Sequence, residues 1–283
     1  MVNKYCRLLR IKHWIKNMLI FCPLIFGTQL LNTQLLVKNI IGFFLFSFIA
    51  SSVYIINDIY DVNSDRRHPV KCKRPIASGE ISIKKAWIIV SCLIIIVIFL
   101  EILLNDKILG LAYLITYLIL NIAYSRGLKN YPIIDLIILV SGFLIRVLYG
   151  SEITDIKISE WLYLMVISFS FYLSLGKRRN ELEKHGIKAE TRNVLKYYSK
   201  DFLDKNMYMY LALTNGFYAL WAMENKKMIW TVPIMMIICL KYSLNIEGDS
   251  EGDPVEVIIK DNVLIILCII YIISVLSILY GGI

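Results

Sequence analysis

Apolar residues run along this chain in blocks of roughly twenty, not in the narrow stripes of a soluble amphipathic helix. A block of that length matches an α-helix crossing a hydrocarbon layer about 30 Å thick. The blocks predict spans near residues 14–31, 38–57, 84–104, 108–124, 132–150, 160–176, 207–224, 228–244 and 262–280. Only helices or closed barrels satisfy their backbone in lipid, and the sequence lacks the ten-residue alternating segments of barrel strands. The expectation is an all-α, polytopic membrane protein of nine helices, with residues 1–283 forming one domain. The first span is the least regular, being short and carrying Pro23. A basic start before an apolar run also describes a signal peptide, but no small-residue cleavage site follows Phe26, so a retained helix is expected.

The polar residues between the blocks are unevenly shared. With the N-terminus inside, nearly all of the 31 Lys and Arg fall on one face; the exceptions are Lys38, Lys107, Lys157, Lys226, Lys227 and the intramembrane Arg146. That asymmetry places the N-terminus in the cytoplasm. It also accounts for the net charge of +9 without nucleic acid as a partner, some attraction to anionic lipid aside. Two inward segments are long, near 58–83 and 177–206, and a shorter one near 245–261 precedes the last span. Long loops gathered on one face argue for a site there, and their positions after the second and sixth spans suggest a duplicated helical unit. Cys6, Cys22, Cys72, Cys92, Cys239 and Cys268 show no C-x-x-C spacing, and His13, His68 and His185 are scattered. Neither a zinc site nor a disulfide framework is indicated.

The chemistry concentrates behind the second span, in NDIYDVNSDRRHPVKCKRPIASG, residues 57–79. Asp58, Asp61 and Asp65 follow i, i+3, i+7 spacing, which sets three carboxylates on one helical face. Such a face repels itself unless a cation lies between the acids, and hard oxygen ligands suit Mg²⁺, which binds one or two carboxylates together with substrate phosphates. A solvated helix end, its acids paired to Arg66, Arg67 and Lys71, is the plainer alternative. Against it, charge at the end of a membrane span is costly, and Lys71, Lys73 and Arg74 follow at once. Acids for a metal and bases for phosphate are what a diphosphate site needs.

N-D-x-x-D-x-x-x-D behind the second of nine helices, followed by Arg74 to Ser82 (RPIASGEIS), resembles the first aspartate-rich motif of the UbiA-type membrane prenyltransferases. Further segments are similar to one branch, the polyprenyl-phosphate (decaprenyl-phosphate) phosphoribosyltransferases. These are Leu9–Asn17, Asp65–Pro75, Tyr124–Asp135, Gly142–Arg146, Gly176–Leu182 and Asp253–Asp261, which together reach from the N-terminus to the start of the last helix. The resemblance implies a UbiA-type bundle in a prokaryotic inner membrane with its active site at the cytoplasmic face. It further implies Mg²⁺-dependent transfer of 5-phosphoribose from phosphoribosyl pyrophosphate to a polyprenyl phosphate. The lipid, the donor and the membrane are then the partners, and a homo-oligomer is compatible with them.

One segment departs from the prenyltransferase pattern. Where a second aspartate-rich motif would follow the sixth helix, this chain has Lys177, Arg178, Arg179, Asn180 and Glu181. That exchanges metal ligation for direct phosphate pairing, as a donor with an additional phosphate would require, or else it only enforces topology. The resemblance assigns the metal to Asp58, Asp61 and Asp65, with Asp58 and Asp61 also positioning the reactants. It assigns the donor to Asn57, Arg67, His68, Lys71, Arg74, Tyr124, Lys129, Asp135, Lys177, Arg178 and Glu181. Lys16 and Asn17, with Arg10 and Lys12 nearby, are candidates for the lipid phosphate, and snorkelling at a helix end serves them equally well. Tyr124 is equally an interfacial anchor, and Lys129 suits either phosphate. His68-Pro69 reads as a turn. Arg146 should face the bundle interior, in an ion pair or lining a cavity, since an unpaired arginine there costs at least ~2.5 kcal/mol. Asp253, Pro254 and Glu256 read as a helix cap. Two other functions stay open: prenyl transfer from a diphosphate to an aromatic or other acceptor, and transport without chemistry. The surface position of the acids speaks against transport.

Overall fold

A chain in lipid has no water to satisfy its amides, and the long apolar blocks close into helices. The computed structural model describes residues 4–68, 70–104, 108–185, 193–224, 227–248 and 252–281. Its helices are α1 (Lys4–Leu9), α2 (Cys22–Phe26), α3 (Thr33–Tyr60), α4 (Val62–Arg67), α5 (Ile83–Leu104), α6 (Ile108–Arg126), α7 (Ile134–Thr154), α8 (Glu160–His185), α9 (Lys200–Met223), α10 (Val232–Glu247), α11 (Pro254–Lys260) and α12 (Asn262–Tyr280). No strand occurs among the described residues. Six segments are long and apolar enough to cross a membrane: α3, Ile83–Leu103, α6, α7, Met228–Glu247 and α12.

The expected spans at 160–176 and 207–224 correspond to parts of α8 and α9, of 26 and 24 residues, the second running one residue past the helix; both helices are long enough but too polar to join those six. The expected first span, 14–31, takes another form. Ile11–Phe21 winds as a 3-10 helix and only Cys22–Phe26 is α-helical. The Asn39 side chain donates to the Ile20 carbonyl at 3.3 Å, and Pro23 brings no backbone N–H of its own. Gly150 of α7 lies so close that a Cβ there would meet the Ile20 carbonyl oxygen at 2.0 Å. A polar side chain and a tight backbone contact therefore act on this segment alongside the burial of Ile20 and Leu24.

Contacts gather into two compact units, and α7 contributes to both. The first holds Met1–Leu24, Leu30–Leu128 and Ile145–Ile156. Its core is built around α3, where Leu45, Phe46, Ile49 and Val53 pack with Leu114, Tyr117 and Tyr149. A second cluster, of Leu8, Ile55, Ile56, Ile59, Ile76 and Ile81, fastens the N-terminal segment and the loop after α4 onto the end of α3. Arg146 faces inward, as its cost in lipid requires. Its Nε donates to Asn17 Oδ1 at 2.7 Å, its Nη2 to the Tyr117 hydroxyl at 3.0 Å, and its guanidinium lies 5.1 Å from the Phe46 ring.

The second unit holds Ile25–Gln29, Lys129–Leu144 and Lys157–Ile283. Tyr172, Leu203, Met207, Tyr242, Ile246 and Leu264 form its core. The expected cap at α11 is present: Asp253 accepts from the Val255 N–H at 3.0 Å, with Pro254 in the first turn. Asp261 caps α12 through the Leu264 N–H at 2.8 Å, and it also receives Lys241 of α10 at 2.8 Å and Asn245 at 3.0 Å. These donors, Lys241 foremost and then the Leu264 amide, hold its carboxyl at about 2, down from 3.8.

Three substitutions test this packing. Gly150→Ala should lower the melting temperature of the detergent-solubilised protein by the equivalent of about 1–3 kcal/mol, because the Ile20 backbone must shift. Gly216→Ala, in α9 with nothing within 4 Å of a new Cβ, should be neutral or stabilising by up to about 1 kcal/mol. For Asp261 the folded pKa lies below the unfolded one, so its contribution is complete above about pH 4 and is lost as pH falls towards 2. Melting curves across that window should be flatter for Asp261→Asn than for the parent protein.

Candidate active site

The apolar run of helix α3 stops at Asn57-Asp58, but the helix continues to Tyr60 and its hydrogen bonding carries on beyond. The Asp61 N–H donates to the Asn57 carbonyl at 2.9 Å and the Asp65 N–H to the Asp61 carbonyl at 2.8 Å. Asp61 is thus the joint between α3 and α4, and the near-helical path keeps Asp58 and Asp65 on one side. Both are buried, at 3% and 2% exposure. Two arginines answer them. Arg10 donates to Asp58 Oδ1 at 2.5 Å, and Arg74 Nη1 lies 3.1 Å from Asp58 Oδ1 and 2.7 Å from Asp65 Oδ2. One guanidinium nitrogen therefore sits between two carboxylates.

This differs in part from the expected face of three acids. Asp61 stands half-buried outside the pair, and among the described residues no three His, Cys, Asp or Glu side chains gather closely enough to hold a metal. The local reason is the break at Asp61, whose φ of −88° and ψ of 5° turn the chain between the two helices. The expected bases also divide. Arg67 and Lys71 are exposed, whereas Arg74 is drawn in by the aspartates. His68 forms a turn cap, its Nδ1 accepting from the N–H groups of Val70 at 3.2 Å and Lys71 at 3.3 Å; Pro69, the other half of the expected turn, lies outside the described residues. Asn57 and Tyr124 are half-buried on α3 and α6.

The N-terminal segment lies along this group. Ser51 donates to the Leu9 carbonyl at 2.8 Å, Trp14 donates to Ser51 at 3.1 Å, and Arg7 pairs with Glu80. The Arg7 guanidinium holds the Glu80 carboxyl below the usual range. Lys16 is half-buried. Asn17 is not at a surface: at 1% exposure it is spent on Arg146 and Ser47, the latter at 2.9 Å. Its polar groups are needed to solvate the arginine within the bundle.

In the second unit the expected donor residues form their own closed network. Asp135 and Arg178 are both fully buried; Arg178 Nε donates to Asp135 Oδ2 at 2.7 Å and Nη1 to Glu181 at 2.7 Å. Tyr198 donates to Asp135 Oδ1 at 2.6 Å and accepts the Ile133 N–H at 2.7 Å. Burial and the adjacent Asp135 push the Tyr198 hydroxyl above its ordinary pKa. Arg179 is likewise taken up by Asp204 and Glu183, at 2.5 and 2.9 Å. Of the basic segment only Lys177 is half-buried, as is Lys129 in the turn before α7. Arg178 was expected to meet phosphate directly; in the structure its charge is fully met by acids of its own unit. Sequence reasoning missed Tyr198, which lies 63 residues from Asp135 and carries no motif.

Residues 20–254 match the model of the UbiA prenyltransferase family. The chain belongs to that family. Decaprenyl-phosphate phosphoribosyltransferase of Corynebacterium glutamicum is 31% identical over 284 residues, covering 96% of this chain and 85% of that protein. The enzyme of the same name from Mycobacterium tuberculosis is 30% identical, over 94% of this chain and 91% of its own. A solved UbiA homologue from Archaeoglobus fulgidus, bound to GPP and Mg²⁺, superposes with a TM-score of 0.73 over 98% of this chain and 99% of that one, at 19% identity. That likeness carries the fold.

The donor chemistry of this UbiA-family chain fits a divalent cation. Asp58 and Asp65 already accept one positive group between them, and Mg²⁺ commonly takes one or two carboxylates with water and phosphate completing its shell. In the second unit, Asp135→Asn should destabilise by about 3 kcal/mol, because it leaves the buried Arg178 with Glu181 as its one remaining acid and weakens the acceptor of Tyr198. Asp135→Leu combined with Arg178→Met should recover most of that loss in a chemical-unfolding series. A double variant as unstable as the single would disprove the pairing as the cause.

Proposed function

We propose that this chain transfers 5-phosphoribose from phosphoribosyl pyrophosphate to a polyprenyl phosphate at the cytoplasmic face of a prokaryotic inner membrane, with residues 1–283 acting as one catalytic domain. The observation that carries this reading is the identity of about 30%, sustained over 94–96% of the chain, with decaprenyl-phosphate phosphoribosyltransferases. The absence of a second acidic motif after the sixth expected span supports it. So does the near-exclusive placement of Lys and Arg on the side that carries residues 57–79.

In the reaction, an oxygen of the lipid phosphate forms a bond to the anomeric carbon of the ribose. The bond from that carbon to pyrophosphate breaks, and its electron pair leaves with the pyrophosphate. The acceptor is already an anion, so no strong base is required, and positioning and electrostatics do most of the work. Asp58, Asp61 and Asp65 would hold Mg²⁺, which neutralises the departing diphosphate when bound. Arg74, Arg67, Lys71, His68, Asn57 and Tyr124 are the first unit's candidates for donor contacts, and Lys16 for the lipid phosphate. Lys129 and Lys177 keep a donor assignment in the second unit. Asp135, Arg178 and Glu181, paired with one another, serve by holding that unit's fold together.

Prenyl transfer is the second reading. A digeranylgeranylglyceryl phosphate synthase from Saccharolobus solfataricus is 36% identical, though over only 45% of this chain. One assay separates the two. Purified protein with Mg²⁺ and a polyprenyl phosphate receives labelled phosphoribosyl pyrophosphate in one sample and a labelled prenyl diphosphate with candidate acceptors in another. Label should enter lipid from the first donor and fall about 100-fold or more in Asp61→Ala. Label moving only from the second donor would replace this reading with prenyl transfer.

A further inference from the structure

Asp58 Oδ1 is a contested atom. It accepts from both Arg10 and Arg74, and Arg74 also holds Asp65. The two carboxylates are almost wholly shielded from water, so the arginines compensate their charge. Two acids against two guanidinium groups make a neutral set. A divalent cation arriving alone would add two positive charges beside the arginines and compete for the same oxygen. A diphosphate arriving with the cation supplies the missing negative charge, together with oxygens that suit the fork of a guanidinium.

Arg10 is mounted for such an exchange. It forms the joint between α1 and the 3-10 segment, in the left-handed region at φ 50° and ψ 49° that an L-residue adopts singly and at a cost. Buried Leu8 and the Ser51 bond to the Leu9 carbonyl fix the backbone just before it. The guanidinium rests 4.8 Å from the centre of the Tyr54 ring, and the side chains of Arg10 and Arg74 keep 21% and 26% of their surface in contact with solvent. The main chain is pinned while the charged tip reaches the surface.

We propose that Arg10 is a phosphate-binding residue that Asp58 holds in reserve. A divalent cation and Arg10 exclude one another on Asp58, and arrival of the cation with a diphosphate hands Arg10 from the carboxylate to a phosphoryl oxygen. The inference rests on the transferase reading only in taking pyrophosphate as the leaving group, which both donors share.

The test is the sign of two binding changes in one variant. Mn²⁺ binding is followed by the resonance of free Mn²⁺ with no other ligand present, and pyrophosphate binding by calorimetry at saturating Mg²⁺. Arg10→Gln should tighten Mn²⁺ about tenfold and weaken pyrophosphate about tenfold. Arg10→Lys should shift both in the same senses by less, and it carries the test if the glutamine variant does not fold. Arg7→Gln should move neither. A merely loosened fold weakens both ligands, so weaker or unchanged Mn²⁺ binding, or unchanged pyrophosphate binding, would overturn the proposal. If the opposite shifts appear but no phosphoribose is transferred, the functional reading fails and the role of Arg10 stands. If transfer occurs without them, the role of Arg10 fails alone.

Discussion

A carboxylate withdrawn from water inside an apolar bundle must find a positive partner, and a guanidinium in the same place must find acceptors. In the first unit Asp58 and Asp65 share Arg74, and Arg10 completes the count. In the second unit Asp135, Arg178, Glu181 and Tyr198 close on themselves. Arg146 is met by an amide oxygen, a phenol and an aromatic face. The long helices supply apolar surface, and these polar contacts fix how the segments between them lie.

Both acid–arginine networks obey the same constraint, with different consequences. Arg178 is fully buried and bound on two sides by acids, an arrangement that favours permanence. Arg10 and Arg74 are partly exposed and share one oxygen, an arrangement that favours exchange. That contrast makes the first unit the better place to look for chemistry, while Arg178 and Arg179 in the basic run at 177–179 are already paired with acids.

Much of this was legible in the sequence because it depends on local pattern. Long apolar blocks became α3, α5, α6, α7, α10 and α12, and Asp253-Pro254 became the cap of α11. The N-D-x-x-D-x-x-x-D spacing correctly put Asp58 and Asp65 together. It did not reveal that Asp61 would mark a change of helix, since the spacing alone carries no signal for the turn there. The surroundings of Asn17 and Arg178 were not legible, for one reason. Their partners, Arg146 and Asp135, lie 129 and 43 residues away, and a polar residue near a helix end looks the same in sequence whether it faces phosphate or a buried charge. The 3-10 form of Ile11–Phe21 was hidden likewise, in contacts with Asn39 and Gly150.

If the guanidinium groups now on Asp58 and Asp65 are held for phosphate, they leave the carboxylates when a diphosphate binds with its cation. A structure of the protein determined with Mg²⁺ and pyrophosphate tests it most directly. Metal density should stand at the two aspartates, with the Arg10 and Arg74 guanidinium groups moved onto phosphoryl oxygens. Pyrophosphate bound while Arg10 and Arg74 remain on the carboxylates, or bound away from α3 and α4 altogether, would contradict it.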